Sequence, residues 1–432
     1  MSQTTEPVLV YHQKGHNPQD ADATRLVSRM ALRCAGIPKQ ICAGLTQGSR
    51  QDMWWSSIFR CESGRILGAF MDYGIAFPSY IDAWREAAAA EAAGFTHAWF
   101  FDSQLIYSDV YATMALAAEH TSRIKLGTLV SIPSNRLSAV TASAIATINY
   151  LAPGRVILGL GTGYTGRNTM GLPAVTVKDF REHTQQVRGL LQGEEVLIRE
   201  GDRERWIRLL HPDRGDFINI EDEIPIYLAA NGPRALAATG ELADGWVTGA
   251  LTPNLAEGFE AIRDAAAAAG RSTDKPYTVG LTSGCVLRDG VSLTSPRVVE
   301  RVGPNALPGL HAMWESHYGP GANLGITDPD AAAAFHRYIV EYGDARGSQP
   351  DRRYLDVHTG HMVFLKAGEE QFISEASIGA TLTGTPALII ERLEEMEAAG
   401  IDNVAIACTN AAGARDLIAD FGSEVIAKRS TA

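Results

Sequence analysis

Short apolar runs alternate with amphipathic helical patterns along most of the chain. The runs are continuous, as is typical of parallel strands that are covered on both faces. Eight such runs predict strands at residues 65–72, 97–102, 124–132, 155–160, 224–230, 245–249, 278–287 and 403–408. Apolar residues at helical spacing predict helices at residues 80–93, 110–120, 139–150, 177–191, 233–243, 255–269, 386–399 and 414–428.

These units predict an α/β protein, a (β/α)8 TIM barrel, because eight parallel strands are the number that closes this ring. An open, doubly wound sheet is the alternative. The barrel domain is expected at residues 64–432, after an irregular N-terminal extension at residues 1–63. Residues 290–380 interrupt the alternation after the seventh strand, and this insertion is predicted to form a lid over the barrel mouth.

The fourth apolar run leads into a loop that contains Gly159, Gly161, Gly163 and Gly166. Glycine lets a backbone adopt unusual dihedral angles and approach a ligand closely, so this loop is a candidate cofactor site. The loop also contains a G-x-G-x-x-G motif. In a dinucleotide-binding fold, however, a helix opens directly on the third glycine. Here Pro173 delays the helix, so a Rossmann site is not favoured.

The composition is that of an acidic globular protein. Hydrophobic residues make up 45% of the 432 positions, and the formal net charge is −12. This charge argues against a nucleic-acid partner and against an anionic membrane surface. No apolar run reaches the roughly 20 residues of a membrane span. The N-terminus also carries no signal-peptide pattern, so a cytoplasmic protein is expected.

The segment DVHTGHMVFL (356–365) places His358 and His361 three residues apart. Imidazole titrates near neutral pH, so the two are candidate catalytic acid–base residues. A structural histidine pair is the alternative interpretation. Zinc binding by the pair is not favoured, because no third ligand lies nearby in the sequence. The five cysteines lack C-x-x-C spacing, so the sequence predicts neither a disulfide framework nor a metal site.

In a TIM barrel the chemistry takes place on the loops that follow the carboxyl ends of the strands. Asp72 and Asp102 end the first and second predicted strands. Both are candidates for binding the ligand or for catalysis, against the alternative of turn or capping roles. Gln104 is a candidate for contacting a polar edge of the substrate, against the alternative of an exposed loop amide.

Three stretches, residues 102–163, 224–249 and 382–408, together resemble the luciferase-like flavin- and F420-dependent oxidoreductase superfamily. The first contains IKLGTLVSIPSNRLSAVTASAIATINYLAPGRVILGLGTG and is most similar to the branch that includes methylenetetrahydromethanopterin reductase. The resemblance implies a barrel that binds FMN or the deazaflavin coenzyme F420 across its mouth, together with a small-molecule substrate.

The resemblance also implies which residues hold the cofactor. In relatives the third strand ends in a non-proline cis peptide against the flavin ring, and that position corresponds here to Ser131 and Ile132. The cofactor phosphate is expected near the ends of the fifth and sixth strands, at Asn231, Gly232 and Gly249. The first two also open a predicted helix, where free N–H groups and the positive dipole end attract anions.

Two further parts of the glycine loop are expected to contact the cofactor. Thr162 and Gly163 are expected to line the flavin, against the alternative of a tight turn that needs glycine. Arg167 is expected to pair with a phosphate or a carboxylate, against the alternative of a solvated arginine.

The preferred function is F420-dependent hydride transfer to or from a small organic substrate, with a side chain such as His361 moving a proton. The alternative is an FMNH2-dependent monooxygenase that uses O2 and depends on a separate reductase. A non-catalytic flavin-binding barrel is a second alternative. A lyase or hydrolase is not favoured, since no predicted strand ends in lysine. The expected assembly is a homo-oligomer such as a homodimer.

Overall fold

A ring of parallel strands organises the part of the chain that the computed structural model describes, residues 71–253, 255–318, 329–338 and 352–431. The predicted extension at residues 1–63 lies outside these ranges. The ring strands are Asp72–Phe77 (β1), His97–Phe100 (β2), Lys125–Thr128 (β3), Val156–Leu160 (β4), Ile226–Ala229 (β5), Gly245–Gly249 (β6), Tyr277–Val286 (β7) and Asn403–Ala407 (β8).

Consecutive strands of the ring pair in parallel, and the last strand returns to the first. In β8, Ala405 is aligned with Gly74 of β1 and with Leu281 of β7. This pairing closes the ring and rules out the open doubly wound sheet. The predicted (β/α)8 barrel is therefore confirmed.

Helices lie between the strands and in the segment between β7 and β8. Their bounds are Trp84–Ala92 (α1), Val110–His120 (α2), Ser138–Leu151 (α3), Tyr164–Asn168 (α4), Val177–Leu191 (α5), Pro233–Leu242 (α6), Leu255–Ala268 (α7), Pro296–Ala306 (α8), Pro308–Tyr318 (α9), Pro329–His336 (α10), Arg353–His358 (α11), Glu375–Gly379 (α12), Pro386–Ala399 (α13), Ala411–Phe421 (α14) and Ala427–Thr431 (α15). Among the described residues, none of these helices combines the length and the apolar character needed to cross a bilayer.

Apart from helices of the insertion, the sequence pattern missed three short elements. An antiparallel hairpin, Val196–Glu200 with Arg203–Ile207, occupies part of the polar connection between α5 and β5. A three-residue strand, Leu382–Gly384, pairs with the carboxyl half of β7. Helix α4 interrupts the glycine loop and is only five residues long. Elements this short carry too few residues for a periodic pattern to show.

Side chains on the two faces of the strands form two separate cores. On neighbouring positions of β2, Ala98 belongs to the large core between strands and helices, whereas Trp99 belongs to a second core. Successive strand residues point to opposite faces, so this second core fills the interior of the barrel. The other large members of the interior core are Phe101, Leu129, Ile157, Tyr227, Val247 and Val279.

Four rings stack inside the barrel below its mouth. The imidazole of His97 and the indole of Trp99 are nearly parallel, with centroids 5.4 Å apart, and Tyr227 and Tyr277 stack at 5.6 Å. The Trp99 indole donates a hydrogen bond to Asn403 Oδ1 at 3.1 Å. Burial lowers the pKa of His97 to about 3, so its ring is neutral at physiological pH.

Glycines on both neighbouring strands make room for the Trp99 indole. A Cβ atom on Gly74 of β1 would lie 2.6 Å from Trp99 Nε1, and one on Gly127 of β3 would lie 2.3 Å from Trp99 Cζ3. Real Cβ atoms do not approach other heavy atoms this closely. Any larger residue at either position must therefore displace the indole.

We expect Gly127→Ala to lower the free energy of unfolding by about 1–3 kcal/mol, because overpacking a rigid core forces side chains and backbone to shift. Gly309→Ala is the matched control, since nothing lies within 4 Å of its added Cβ. The control should be neutral or slightly stabilising. Urea unfolding followed by circular dichroism measures both, and equal effects of the two substitutions would contradict the wedged position of Trp99.

Candidate functional site

A cavity of about 280 Å³ opens at the carboxyl ends of the barrel strands. This is the end at which TIM-barrel enzymes carry their active sites. Its floor and walls are largely apolar and include Leu129, Val130, Ile132, Leu281 and Met362. Its polar lining consists of Asp102, Ser103, Tyr107, Thr162, Tyr164, Thr165 and Asn231.

The segment that follows β3 crosses the floor of the cavity and contains a non-proline cis peptide bond. This bond joins Leu129 to Val130, so the expected position between Ser131 and Ile132 is wrong by two residues. Ser131 instead continues alongside the end of β4, where its N–H donates to Gly159 O at 2.8 Å. Ile132 lines the cavity, whereas Ser131 is buried beneath it.

The glycines of the loop after β4 are needed for packing against this segment. A Cβ atom on Gly161 would lie 2.4 Å from Val130 Cγ2, and one on Gly163 would lie 2.4 Å from Ile132 Cγ2. Gly163 also has a φ of +79°, which disfavours other residues. Together with Thr162, both glycines line the cavity, so the loop both shapes the floor and faces the space above it.

Asp102 holds the segment after β3, residues 129–132 (the floor segment), in place. Its Oδ2 atom accepts hydrogen bonds from Ser131 Oγ at 2.9 Å and from the Ile132 N–H at 3.4 Å. Arg136 Nη1 forms an ion pair with the same oxygen at 2.8 Å. The carboxylate is 5% exposed and also belongs to the cavity lining. Asp102 therefore fixes the position of the floor segment and also contributes to the cavity wall.

Arg136 links Asp102 to the start of α2. Its second amino group pairs with Asp109 at 2.5 Å, and Asp109 caps the helix by accepting from the N–H groups of Tyr111 and Ala112. Partial burial opposes ionisation of Asp109. Hydrogen bonds from Ala112 and Arg136 outweigh it and lower the pKa of the carboxyl. The Tyr111 hydroxyl then bonds to Ser131 Oγ at 3.1 Å, which completes the network.

Two of the predicted site residues lie elsewhere. Asp72 begins β1 instead of ending it, and it accepts a 2.6 Å hydrogen bond from the Tyr277 hydroxyl at the opposite end of the barrel. The prediction that it lies at the mouth is wrong. Arg167 does not line the cavity, and its Nε atom donates to Pro173 O at 2.5 Å, so its predicted anion pairing gains no support from the geometry.

Gln104 binds the glycine loop through a hydrogen bond and does not line the cavity. Its amide nitrogen donates to Gly166 O at 2.5 Å, and its amide oxygen accepts from Asn135 at 2.7 Å. Because the side chain is half-buried and both ends of the amide are occupied, the alternative of an exposed loop amide is wrong, whereas contact with a substrate edge stays a prediction. Gln104 is a structural connection between the loops after β2, β3 and β4.

The start of α6 provides the anion-attracting edge of the site. Asn231 lines the cavity, and its Oδ1 atom accepts a hydrogen bond from Thr248 at 3.3 Å. Gly232 caps the helix in an extended conformation and is exposed. Gly249 ends β6 beside Thr248. The three residues predicted to hold a phosphate therefore lie on adjacent loops at one side of the mouth.

His358 and His361 lie next to the cavity but do not line it. His361 Nε2 is 3.4 Å from the hydroxyl of Thr165, which is a lining residue, and Met362 beside it reaches the cavity. Burial and the nearby His358 lower the pKa of His361 to about 3, so His361 is neutral at pH 7. The acid–base role of this pair stays a prediction.

The structure adds residues that the sequence pattern did not indicate. His311, in α9, lies with its Nδ1 atom 2.9 Å from His361 Nδ1, so the expectation that no third ligand lies near the histidine pair is wrong. Tyr107 lines the cavity, and its hydroxyl contacts His361 O at 3.4 Å. Met362 brings the insertion to the cavity wall. Only tertiary packing joins these positions, so no local signal could have found them.

The residues at the mouth fit a tricyclic redox cofactor. The apolar floor can pack against an aromatic ring system, and the surrounding hydroxyl and amide groups can bind its polar edge. The start of α6 offers free N–H groups for a phosphate tail, and a Cβ atom added at Gly232 would meet nothing within 4 Å. Fold and site together describe a barrel enzyme that binds its cofactor at the mouth.

Comparison with known proteins identifies the class. The profile of the luciferase-like monooxygenase family matches residues 67–403, and the chain belongs to this family. The family predicted from the sequence resemblance is therefore confirmed, and with it the oxidoreductase class at the level of the family.

Curated relatives include a reductase and an F420-dependent dehydrogenase. A 5,10-methylenetetrahydromethanopterin reductase of Methanolobus tindarius is 34% identical over 46% of this chain and 58% of its own length. An F420-dependent hydroxymycolic acid dehydrogenase of Mycobacterium tuberculosis is 35% identical over 45% of this chain and 55% of its own length. The chain thus spans somewhat more than half of these two relatives.

Solved structures share the fold. The coenzyme F420 dependent tetrahydromethanopterin reductase from Methanopyrus kandleri superimposes with a TM-score of 0.57 at 22% identity. The superposition covers 83% of this chain and 99% of that one. At this identity the likeness establishes the architecture alone.

We expect Arg136→Met to lower the free energy of unfolding by about 3–5 kcal/mol, because it leaves the buried carboxylate of Asp102 without its cation. The control is Arg208→Met. Arg208 pairs with Glu195 on the exposed hairpin, where the two side chains are 58% and 59% exposed, and its loss should cost at most about 1 kcal/mol. Chemical denaturation separates the two cases. Similar losses for both variants would show that Asp102 does not depend on Arg136.

Proposed function

We propose that this protein is an F420-dependent oxidoreductase that transfers a hydride to or from a small organic substrate at the barrel mouth. The observation that carries the proposal is the cavity itself, in which an apolar floor ends beside a helix N-terminus. The relative that is named as F420-dependent gives the deazaflavin preference over FMN. When bound, the cofactor would supply the hydride chemistry.

The chain's contribution to this reaction is to orient the cofactor and to exclude water. Val130 and Ile132 would support one face of the ring system, since both line the cavity from the floor segment. Asp102 acts through this segment as a positioning residue, because its hydrogen bonds fix Ser131 and Ile132. Substrate would enter from the opposite side, where Met362 and Tyr107 form the wall.

Proton handling is assigned to Thr165 and Tyr107, the hydroxyl-bearing residues of the lining that contact His361. Thr165 Oγ1 is 3.4 Å from His361 Nε2, and the Tyr107 hydroxyl contacts the His361 carbonyl oxygen. Burial raises the pKa of Tyr107, so its phenol stays protonated and can donate. His361 then orients the Thr165 hydroxyl and does not itself reach the substrate.

The phosphate tail is assigned to Asn231, Gly232 and Gly249. Helix α6 is ten residues long and directs the positive end of its dipole at this edge of the mouth. Pro233 has no N–H and the Ala235 N–H donates to Gly232 O, so the N–H groups of Gly232 and Arg234 are the ones assigned to the phosphate. Arg167 is left out of this assignment because its guanidinium is bonded to Pro173 O.

We expect the purified full-length protein to bind oxidised coenzyme F420 more tightly than FMN when both are titrated under argon and followed by absorbance. Adding a panel of small alcohols should then bleach the deazaflavin band without oxygen uptake. Preferential binding of FMN, followed by oxygen consumption when reduced FMN and substrate are added, would favour the monooxygenase alternative. Binding of neither cofactor would refute the proposal.

We expect Gly232→Asp to weaken cofactor binding by about tenfold or more, because it places a negative charge beside the phosphate. The fold should tolerate the change, since the position is open and aspartate is a favoured helix cap. Gly232→Asn is the matched control, with nearly the same shape and no charge. Equal affinities of the two variants would place the phosphate somewhere else.

Three finer expectations stay predictions. They are the homo-oligomeric assembly, the cytoplasmic location and a separate reductase as partner. The lid function of the insertion also remains a proposal, supported by the contribution of Met362 to the cavity wall.

A further inference from the structure

Three histidines of the segment between β7 and β8 converge behind the cavity wall. His311 lies in α9, His358 ends α11, and His361 lies in the turn that follows. One ring nitrogen from each lies within 4.8 Å of the others. All three residues are buried, with exposed fractions of 2%, 4% and 2%. Their convergence is a tertiary feature, since His311 is far from the other two in sequence.

The outward-facing nitrogen of each ring lies close to an oxygen atom. Nε2 of His358 is 2.7 Å from Glu315 Oε1, and Nε2 of His311 is 3.1 Å from the Tyr338 hydroxyl. Nε2 of His361 is 3.4 Å from Thr165 Oγ1. Metal-binding histidines have this arrangement in proteins, because an oxygen partner on the far nitrogen fixes the tautomer and orients the ring.

Because each Nε2 atom already lies beside an oxygen atom, the Nδ1 atoms are the nitrogens left for a shared ligand. Those of His311 and His361 are 2.9 Å apart. Nδ1 of His358 is buried and has no hydrogen-bond partner within the described ranges. A buried polar atom that is left unsatisfied destabilises the fold. A hydrogen bond between His311 and His361 explains their short contact, but it leaves Nδ1 of His358 without a partner.

We propose that the Nδ1 atoms of His311, His358 and His361 bind one divalent transition-metal ion, with Zn²⁺ as the first candidate. Three imidazoles suit this class of ion, and water would complete a tetrahedral site. The carboxylate of Glu315, 9% exposed in its side chain, faces His358 and offsets part of the cation's charge. The ion would satisfy all three inner nitrogens at once.

The site would be separate from the proposed cofactor site. None of its three histidines lines the cavity, but two neighbours do, namely Thr165 and Met362. A bound ion would therefore tie α9 and α11 to the glycine loop at the point where the insertion meets the cavity wall. Its presence does not depend on which cofactor the mouth binds.

The test uses the full-length chain purified without a polyhistidine tag, treated with a chelator and then exposed to excess Zn²⁺ or Co²⁺. We expect elemental analysis after gel filtration to find one zinc ion per chain. X-ray absorption should give a nitrogen and oxygen shell at about 2.0–2.1 Å without sulfur. Wild-type protein that leaves the column without metal would overturn the proposal, whatever the variants do.

Variants localise the ion. His358→Gln should lower zinc affinity by more than about 100-fold, and Glu315→Gln should lower it by about 10–100-fold through loss of the outer contact. The matched control is His183→Gln, because His183 is also buried with an unpartnered ring nitrogen but lies in α5. Zinc should raise the melting temperature of the wild type and of this control, but not that of His358→Gln. Unchanged affinity in His358→Gln would place the metal elsewhere.

Discussion

The position of the Trp99 indole is the constraint on which the rest of the structure depends. The ring occupies the interior of the barrel, with a glycine of a neighbouring strand on each side and a hydrogen bond to Asn403 on β8. It thus joins strands that are far apart in sequence and fills the volume that a closed ring must fill. Together with the rings of His97, Tyr227 and Tyr277, it blocks the lower barrel. The space inside the ring is therefore open to a ligand at the mouth.

Much of the architecture could be predicted because strand and helix units repeat. The bounds of α2, α5, α13 and β6 agree with the helical and apolar patterns in the sequence. The first strand was placed too early. Apolar residues flank Asp72 on both sides, in RILGAFMDYGIAF, so the pattern alone cannot tell where the paired residues begin. Because this strand begins a few residues later than predicted, Asp72 lies at the base of the barrel and not at its mouth.

The site was harder to predict than the fold, since its contacts join distant loops. Asp102, Thr162, Gly163 and Asn231 could be placed at the mouth because each follows a strand. The partners of Asp102 could not, because Arg136 reaches it only after the floor segment has turned beneath the cavity. His311 could not be predicted for the same reason. Its role depends on helix packing in the insertion, which no periodic pattern encodes.

The two departures from the strand-and-helix repeat lie at opposite ends of the barrel. The hairpin at Val196–Ile207 precedes a strand and so lies at the base, whereas the segment after β7 follows a strand and reaches the mouth. Residues can therefore be gained or lost in the hairpin without reshaping the reaction chamber. Changes in the other segment alter the chamber directly. The mouth can therefore change to accept new substrates while the base of the barrel keeps its structure.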